Sequence, residues 1–130
     1  MVRLNVAFLR RGLSVGSQHL LTVRGRKSGV ERMTPVSLVT LDGTRYVVAA
    51  FADADWVKNV RAAGSGSLSR GRRQEAVGLV ELPESERGPV LRAFLTQVRG
   101  GVRFFDSADP DTVVASAVRY PVFRVAPTSG

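Results

Sequence analysis

The sequence predicts a mainly β domain with a few helices (α+β), whose six strands form a mostly antiparallel barrel. Short runs rich in Val, Leu and Thr are separated by hairpin turns, and hairpins join antiparallel strands. Strands and helices do not alternate in the βαβ manner that builds a parallel sheet. Six short strands with so few helices fit a small barrel better than an open sheet. The 130 residues, 44% of them hydrophobic, suffice for one core, so residues 1–130 are predicted to form a single domain.

The first part of the chain, residues 1–15, is predicted to form an amphipathic segment ahead of the barrel. Apolar residues recur at helical spacing over residues 2–13, and three arginines lie elsewhere on that helix. Such a segment either packs on the body of the protein or makes peripheral contact with a membrane through residues 1–13. The arginines interrupt any signal-peptide core, and no run approaches the roughly 20 apolar residues of a membrane-spanning helix. We therefore expect a cytoplasmic location, with membrane association as the alternative.

The strands are predicted from runs of β-branched, aliphatic and aromatic residues, at positions 19–24, 34–41, 45–51, 65–69, 74–82 and 120–125. Gly25 and Gly29 bracket a polar turn after the first strand. Asp42-Gly43 is the strongest hairpin signal in the chain. The arginines around Gly71 are predicted to form the tip of a second hairpin, where they are either solvated or part of an anion channel.

Helices are predicted between these strands. Residues 53–63 form a short helix that Asp53 or Asp55 caps and Gly64 ends. Pro83 opens a longer helix, because apolar residues recur at helical spacing in the stretch that follows it. The remaining predicted elements are a loop over residues 104–110 and one or two helical turns over residues 111–118.

The net charge of +8 is concentrated in one part of the chain. Residues 1–32 contain seven basic residues and one acid, whereas the basic and acidic residues of 33–130 nearly balance. The charge is therefore a local property and indicates an anionic partner near the N-terminal third. Nucleic acid, a membrane surface and a phosphorylated small ligand each fit that description.

Side chains that could perform catalysis are scarce. The chain contains no cysteine, and its single histidine, His19, has no second histidine at metal-ligand spacing, so no metal site is predicted. A serine hydrolase would need a G-x-S-x-G elbow, which is absent. The acidic residues fall mostly in predicted turns and helix ends, so paired-carboxylate chemistry is not supported. If the protein is an enzyme, we expect a bound cofactor to supply the chemistry.

The best local signal for a binding site is the RGRKSG stretch at residues 24–29. Glycines on both sides let backbone N–H groups converge on an anion. Arg26 and Lys27 add positive charge, Ser28 adds a hydroxyl donor, and Arg32 lies close across the predicted hairpin. Clustered cations repel one another, and a bound anion would relieve that repulsion. From the residues alone, a phosphate-binding loop and a solvated basic hairpin tip both remain open.

Three segments of the chain resemble one known family. GRKSGVERMTP at residues 25–35 is similar to a G-R-K-S-G-x-x-R-x-x-P segment of the deazaflavin-dependent nitroreductases. WVKNVRAAG at residues 56–64 resembles the W-x-x-N-L-x-A-N-P helix of the same family. YPVFRV at residues 120–125 is similar to its closing I-P-V-F-x-L strand. The resemblance covers roughly residues 19–126, and the first two motifs are specific in combination.

The resemblance implies a split β-barrel of the FMN-binding type and the cofactor coenzyme F420, an 8-hydroxy-5-deazaflavin; FMN is the alternative cofactor. By position, the basic loop would hold the phosphate and polyglutamate tail of F420 through Arg26, Lys27, Ser28, Gly29 and Arg32. The deazaflavin ring would be contacted by residues of the matched strands and helix, namely Pro35, Val36, Ala49, Ala50, Phe51, Trp56 and Asn59.

The function that the resemblance implies is transfer of a hydride from reduced F420 to a small electron-poor acceptor, such as a quinone, an enone or a nitroaromatic. Tyr46, Ser37, Tyr120 or water would donate the proton. An F420 carrier without turnover and an FMN-binding reductase are the alternatives. Nucleic acid is not expected as a partner, because the basic cluster contains no aromatic residue on which bases could stack. We expect a monomer or a homodimer with small-molecule partners.

Overall fold

The computed structural model describes residues 18–98, 105 and 109–128, so the predicted segment 1–15 lies outside the described residues. The described strands are β1 (Gln18–Arg24), β2 (Glu31–Leu41), β3 (Thr44–Val48), β4 (Ser65–Arg70), β5 (Arg73–Glu81) and β6 (Val122–Pro127). They form a closed barrel in the spatial order β1-β2-β3-β6-β5-β4, in which β4 pairs back to β1. Every pairing is antiparallel. The prediction of a six-stranded antiparallel barrel is confirmed.

Tight turns set the register of the hairpins. Asp42 and Gly43 both have positive φ angles, of 52° and 79°, as a two-residue type I′ hairpin requires. Gly71 has a φ of 61° at the tip of the β4–β5 hairpin. β2 begins at Glu31, earlier than the predicted start at position 34, because β1 pairs with it as far as Arg24 opposite Glu31.

The interior of the barrel is filled by alternate residues of its strands. These inward-facing core residues are Leu21, Val23, Val36, Leu38, Val47, Leu68, Val77, Leu79, Phe123 and Val125. Helix α1 (Asp55–Ala63) packs against this core through Val57 and Val60. The helix ends at Gly64, whose φ of 72° is typical of a glycine C-cap, as predicted. It begins after Ala54 without a side-chain cap, so the expectation that Asp53 or Asp55 caps it is wrong.

A second apolar layer covers the outer face of β2, β3 and β6. Helices α2 (Gly88–Gln97) and α3 (Pro110–Ala115) pack there on outward-facing valines of the three strands. Phe105 is buried in this layer, with its ring 5.3 Å from the ring of Phe94 and 4.5 Å from that of Tyr120. Helix α2 begins later than predicted, because a 3₁₀ turn over Glu84–Glu86 follows Pro83. None of the helices in the described part of the chain is long and apolar enough to cross a membrane.

Candidate functional site

A cleft of about 320 Å³ opens where the loop between β1 and β2 meets helix α1. Its lining comes from the loop, the start of β2 and the first half of the helix: Gly25, Arg26, Lys27, Ser28, Arg32, Thr34, Asp55, Trp56 and Asn59. Arg32 and Thr34 alternate in step with the inward-facing Val36, so they continue the inner face of the barrel past its last core residue. The cleft is therefore one mouth of the barrel, with polar and charged walls.

The loop keeps its shape through two backbone hydrogen bonds and two glycines. The Gly25 amide donates to the carbonyl oxygen of Val30 at 2.8 Å, and the Gly29 amide donates to that of Gly25 at 2.9 Å. A Cβ atom on Gly25 would lie 2.9 Å from the Val30 oxygen, and Gly29 has a φ of 77°. Both positions therefore favour glycine, the first for close approach and the second for its left-handed backbone.

The tip of this loop presents donors that the rest of the described chain does not use. The Ser28 hydroxyl oxygen accepts a hydrogen bond from the Val30 amide at 3.2 Å, which leaves its proton available to donate. The amides of Lys27 and Ser28 have no acceptor, and the side chains of Lys27 and Arg32 have no ion pair, within the described residues. Converging N–H and O–H donors with excess positive charge form a surface suited to an anion.

Arg26 makes different contacts from the other cations, because it is bonded to helix α1. Its backbone amide donates to Asn59 Oδ1 at 3.1 Å, and its guanidinium donates to the same oxygen at 2.7 Å. The guanidinium also reaches the carbonyl oxygen and a carboxylate oxygen of Asp55, each at 3.4 Å. Asn59 is 5% exposed, so its carbonyl oxygen would be a buried acceptor without these bonds. Arg26 and Asn59 thus clamp the loop to the helix.

A family model described as F420H(2)-dependent quinone reductase matches residues 1–104 of the chain. The chain belongs to this family. It is an F420-dependent reductase, and F420 is its cofactor. Between F420 and FMN, the two cofactors that the family resemblance allows, the family match therefore decides for F420.

One solved structure agrees with this assignment, and two others share the fold. The structure of an F420-H2 dependent reductase, FDR-A, is 25% identical, with a TM-score of 0.57, and the match covers 85% of this chain and 94% of that one. A structure described as a domain-swapped dimer is 22% identical over 95% of this chain and 96% of that one, with a TM-score of 0.56. A FAD-binding protein from Mesorhizobium loti is 13% identical over 95% and 89%, with a TM-score of 0.59. The last two likenesses show the fold alone, and no curated protein matches the chain.

The cleft of this F420-dependent reductase fits the anionic part of F420. A phosphate and glutamate carboxylates are acceptors only, and the donors at the loop tip are a lysine, an arginine, a hydroxyl and backbone amides. The opposite arrangement, a carboxylate pointing into the cleft without a cationic partner, is not found in its described walls, since Asp55 pairs with Arg26 at 3.4 Å. The donors of this cleft are therefore of the kind that a phosphate or a carboxylate requires.

Of the predicted cofactor residues, the structure brings six together in this cleft. They are Arg26, Lys27, Ser28, Arg32, Trp56 and Asn59, with Gly29 next to them in the loop. Val36 and Ala49 point into the barrel core instead, where they are 7% and 0% exposed. Pro35 and Phe51 are exposed and Ala50 is half-buried, outside the lining of the cleft.

None of the predicted proton donors lines the cleft. Tyr120 is 3% exposed and packs with its ring tilted against that of Phe105 in the second apolar layer. Tyr46 is half-buried and packs against the same layer from β3. Ser37 is half-buried at the far end of the β1–β2 ladder, opposite Gln18.

Three lining residues were not among the predicted ones: Gly25, Thr34 and Asp55. The first two had a signal, since Gly25 opens the glycine-bracketed loop and Thr34 lies two positions after Arg32 on the same face of its strand. Asp55 had none, because its position at the start of a helix favours a cap and its partner Arg26 is 29 residues away.

Proposed function

We propose that the loop cleft holds the phosphate and polyglutamate tail of F420, and that the enzyme reduces a quinone. The observation that carries this proposal is the donor surface of Lys27, Ser28 and Arg32, in which the two cations have no ion pair with the described chain. The description of the family as quinone reductases favours a quinone over the enone and nitroaromatic acceptors that the resemblance also allows.

Each side chain of the cleft has a distinct part in this proposal. Lys27 and Arg32 would neutralise the tail from two sides, since one extends from the loop and the other from β2. The Ser28 hydroxyl and the two free amides beside it would bond a phosphate oxygen, with the shorter, stronger geometry of charge-assisted hydrogen bonds. Arg26 would act at the rear of the loop, where its bonds to Asn59 fix the direction of those amides.

The ring is proposed to lie beside Trp56, at the edge of the cleft away from the loop. Trp56 is half-buried and rests on Phe123, with ring centroids 6.1 Å apart, so the barrel core supports it from behind. The side chains of Val36 and Ala49 are engaged in the core. Contact with the ring is thus assigned to Ala50 and Phe51, of which Phe51 is 69% exposed, whereas Pro35 faces outward between the inward-facing Thr34 and Val36. An exposed phenylalanine and a half-buried tryptophan are both suited to exclude water from a flat ring.

Reduced F420 supplies a hydride when it is bound. The protein would then hold the cofactor ring and the acceptor in contact and keep water from the face of the ring. Orientation and exclusion of water both favour hydride transfer. A quinone is flat and electron-poor and can stack over the exposed side of the ring. We assign the proton that completes its reduction to water, because Tyr46, Ser37 and Tyr120 all lie outside the lining of the cleft.

The proposal is tested by rapid mixing of the F420H2-loaded enzyme with a matched set of acceptors: a benzoquinone, a naphthoquinone, an enone and a nitroaromatic. We expect the absorbance of oxidised F420 to appear in a single turnover, fastest with the quinones. Rates that do not depend on the acceptor, or that favour the nitroaromatic, would contradict the quinone assignment. An unchanged rate in Tyr46→Phe would support water as the proton source.

A further inference from the structure

Two residues on the outer face of β1 are buried, although they point away from the barrel core. Leu20 and Thr22 alternate with the inward-facing Leu21 and Val23, so their side chains lie on the outside of the barrel. They are nevertheless only 6% and 8% exposed. Leu20 belongs to neither of the two apolar clusters of the described residues. The burial of these two side chains therefore indicates that a further element packs over β1.

Two hydroxyl groups on this face point to the same conclusion. Thr22 lies directly opposite Ser67 of β4 in the ladder that closes the barrel. The side-chain oxygens of both residues are shielded from solvent, and neither has a hydrogen-bond partner in the described chain. On an open surface such hydroxyls would bond to water. The element that covers β1 therefore extends over β4.

Small side chains make this side of the barrel shallow. Ser65, Ser67 and Ser69 occupy the outward positions of β4, and Gly78 and Ala76 lie opposite the first two of them on β5. Side chains of this size let the backbone of another element approach closely. The face is thus shaped to receive a helix lying along the strands.

The described helices lie elsewhere on the barrel. Helices α2 and α3, with Phe105 between them, cover β2, β3 and β6, and β6 and β3 lie across the ring of strands from β1 and β4. Helix α1 packs at the mouth where β1 ends at Arg24, which is four residues or about 13 Å along the strand from Leu20. Residues 1–17, in contrast, lead directly into Gln18, the first residue of β1.

The sequence of residues 1–17 fits the covered face. Val2, Val6, Leu9 and Leu13, which we call the N-terminal stripe, recur at intervals of four, three and four residues, as one side of a helix requires. A helix over residues 2–13 would be about 18 Å long, close to the roughly 23 Å of β1. The four residues that follow include a glycine and two serines, which favour a turn back towards the strand.

We propose that residues 1–17 dock on the outer face of β1 and β4, with the N-terminal stripe over Leu20. Docking buries apolar surface of the segment and of β1, and this burial favours it. It also accounts for the shielding of the Thr22 and Ser67 hydroxyls on the outside of the barrel. Because the stripe cannot contact the barrel and a membrane at once, docking assigns the segment to the body of the protein.

The test places a nitroxide on the ¹⁵N-labelled full-length protein. The chain has no cysteine, so Asn5→Cys creates a single labelling position beside the N-terminal stripe. We expect the amide NMR signals of residues 19–23 and 65–69 to lose most intensity, because they lie under the segment. The signals of β3 and β6 are expected to lose least, because these strands lie across the barrel.

Two substitutions in the labelled protein show whether the stripe makes the contact. Leu9→Ser removes an apolar residue from the stripe and is expected to abolish the selective loss of intensity. Leu4→Ser is the matched control and is expected to leave the pattern unchanged, because residue 4 lies on the opposite side of the same predicted helix.

The outcomes separate the possible occupants of this face. Loss of intensity centred on β1 and β4, and cancelled by Leu9→Ser alone, supports docking of the segment. A uniform loss, or equal effects of Leu9→Ser and Leu4→Ser, would overturn it. Disappearance of the pattern when phosphatidylglycerol vesicles are added would overturn it in favour of a membrane. Loss of intensity in a ¹⁵N-labelled chain without nitroxide, mixed with a nitroxide-bearing chain at natural isotope abundance, would overturn it in favour of a second copy.

Discussion

Arg26 shows how one side chain can differ in role from its neighbours in a motif. Lys27 in the basic loop and Arg32 at the start of β2 have no ion pair with the described chain. Arg26, in contrast, donates its hydrogen bonds to Asn59 and Asp55 of helix α1. Two donors of one residue meet a single buried oxygen, so the amide and the guanidinium are fixed together. The residue therefore positions the loop, and the cations on either side of the cleft are left to face the ligand.

The clamp predicts that the effects of Arg26→Ala and Asn59→Ala are not additive. Asn59→Ala removes both hydrogen bonds of the clamp, whereas Arg26→Ala removes the guanidinium bond and keeps the backbone one. The exposed contacts of Arg26 with Asp55 add little, so the double variant is expected to lose about as much unfolding free energy as Asn59→Ala alone, roughly 1–2 kcal/mol. Urea denaturation of the four proteins measures this, and F420 titration gives the matching set of Kd values. If Arg26→Ala weakens F420 binding by far more than Asn59→Ala, Arg26 contacts the anion directly and the clamp is not its main role.

The elements of the fold follow to a large extent from local sequence. Strand positions are predictable because Asp42-Gly43 and Gly71 specify tight turns and because alternating core residues flank them. The start of α2 is harder to predict from the sequence, since Pro83 fits the first turn of a helix and a 3₁₀ turn equally well. The closure of β4 onto β1 joins segments more than 40 residues apart, and only the structure shows how it is made.

Gly66 lets β4 approach β1 closely, so a larger residue at this position is expected to strain the pairing of these two strands. A Cβ atom at position 66 would lie 2.6 Å from the carbonyl oxygen of Thr22 on β1. Gly66→Ala is therefore expected to lower the unfolding free energy by about 2 kcal/mol or more, as overpacking against backbone does. Gly78→Ala is the control, because a Cβ there finds its nearest neighbour at an ordinary 3.5 Å. Equal stability of the two variants in urea denaturation would show that the β1–β4 approach is not tight.

One carboxylate links three elements of the fold by hydrogen bonds. Glu81, at the end of β5, accepts two hydrogen bonds from Arg61 of α1, each at 2.8 Å, and one from Arg87 at 3.1 Å. Arg87 is 7% exposed and also donates to the carbonyl oxygens of Leu82 and Ala117. Glu81 thus connects the helix beside the cofactor cleft to the second apolar layer.

The contribution of Glu81 to the free energy of unfolding is expected to be lost in acid. The hydrogen bond from Arg61 lowers the pKa of Glu81 below its ordinary value of 4.5, so the carboxylate stabilises the fold above that pH and this contribution disappears as the pH falls through the folded pKa. Glu81→Gln is expected to be destabilised by about 1–2 kcal/mol at neutral pH, since Arg87 keeps a buried charge without its partner. Thermal unfolding at a series of pH values should show the two proteins converging below pH 4.5. A constant difference down to pH 2 would place the effect elsewhere.

At the scale of the whole molecule, the barrel separates two groups of cations that the sequence leaves indistinguishable. The arginines around Gly71 were open to two interpretations, a solvated tip or an extension of the anion channel. The antiparallel order of β1 and β4 places them at the mouth opposite the cofactor loop, so they do not extend that channel. Residue type and spacing predicted the cofactor loop, whereas the distance between the loops depends on strand directions that no local pattern contains.

The packing of the whole molecule decides which site residues could be predicted from the sequence. Lys27, Ser28 and Arg32 share a short, glycine-bracketed stretch, so their proximity follows from a single turn. Asp55 and Asn59 join them only because α1 packs at the same mouth of the barrel. Phe105 falls in the predicted loop 104–110, yet it is buried between Phe94 and Tyr120, which only the docking of α2 and α3 brings about.

If the cations of the β1–β2 loop cleft hold F420, as we propose, the affinity for F420 depends on them. The most direct test compares the Kd of the wild type with the Kd of two double variants. Lys27→Ala/Arg32→Ala removes both free cations of the cleft and is expected to raise Kd at least about tenfold relative to the wild type. Lys58→Ala/Arg72→Ala removes the same charge from exposed positions outside the lining of the cleft, and is expected to leave Kd within about twofold. An unchanged Kd in the first variant, or an equal rise in both, would contradict the claim.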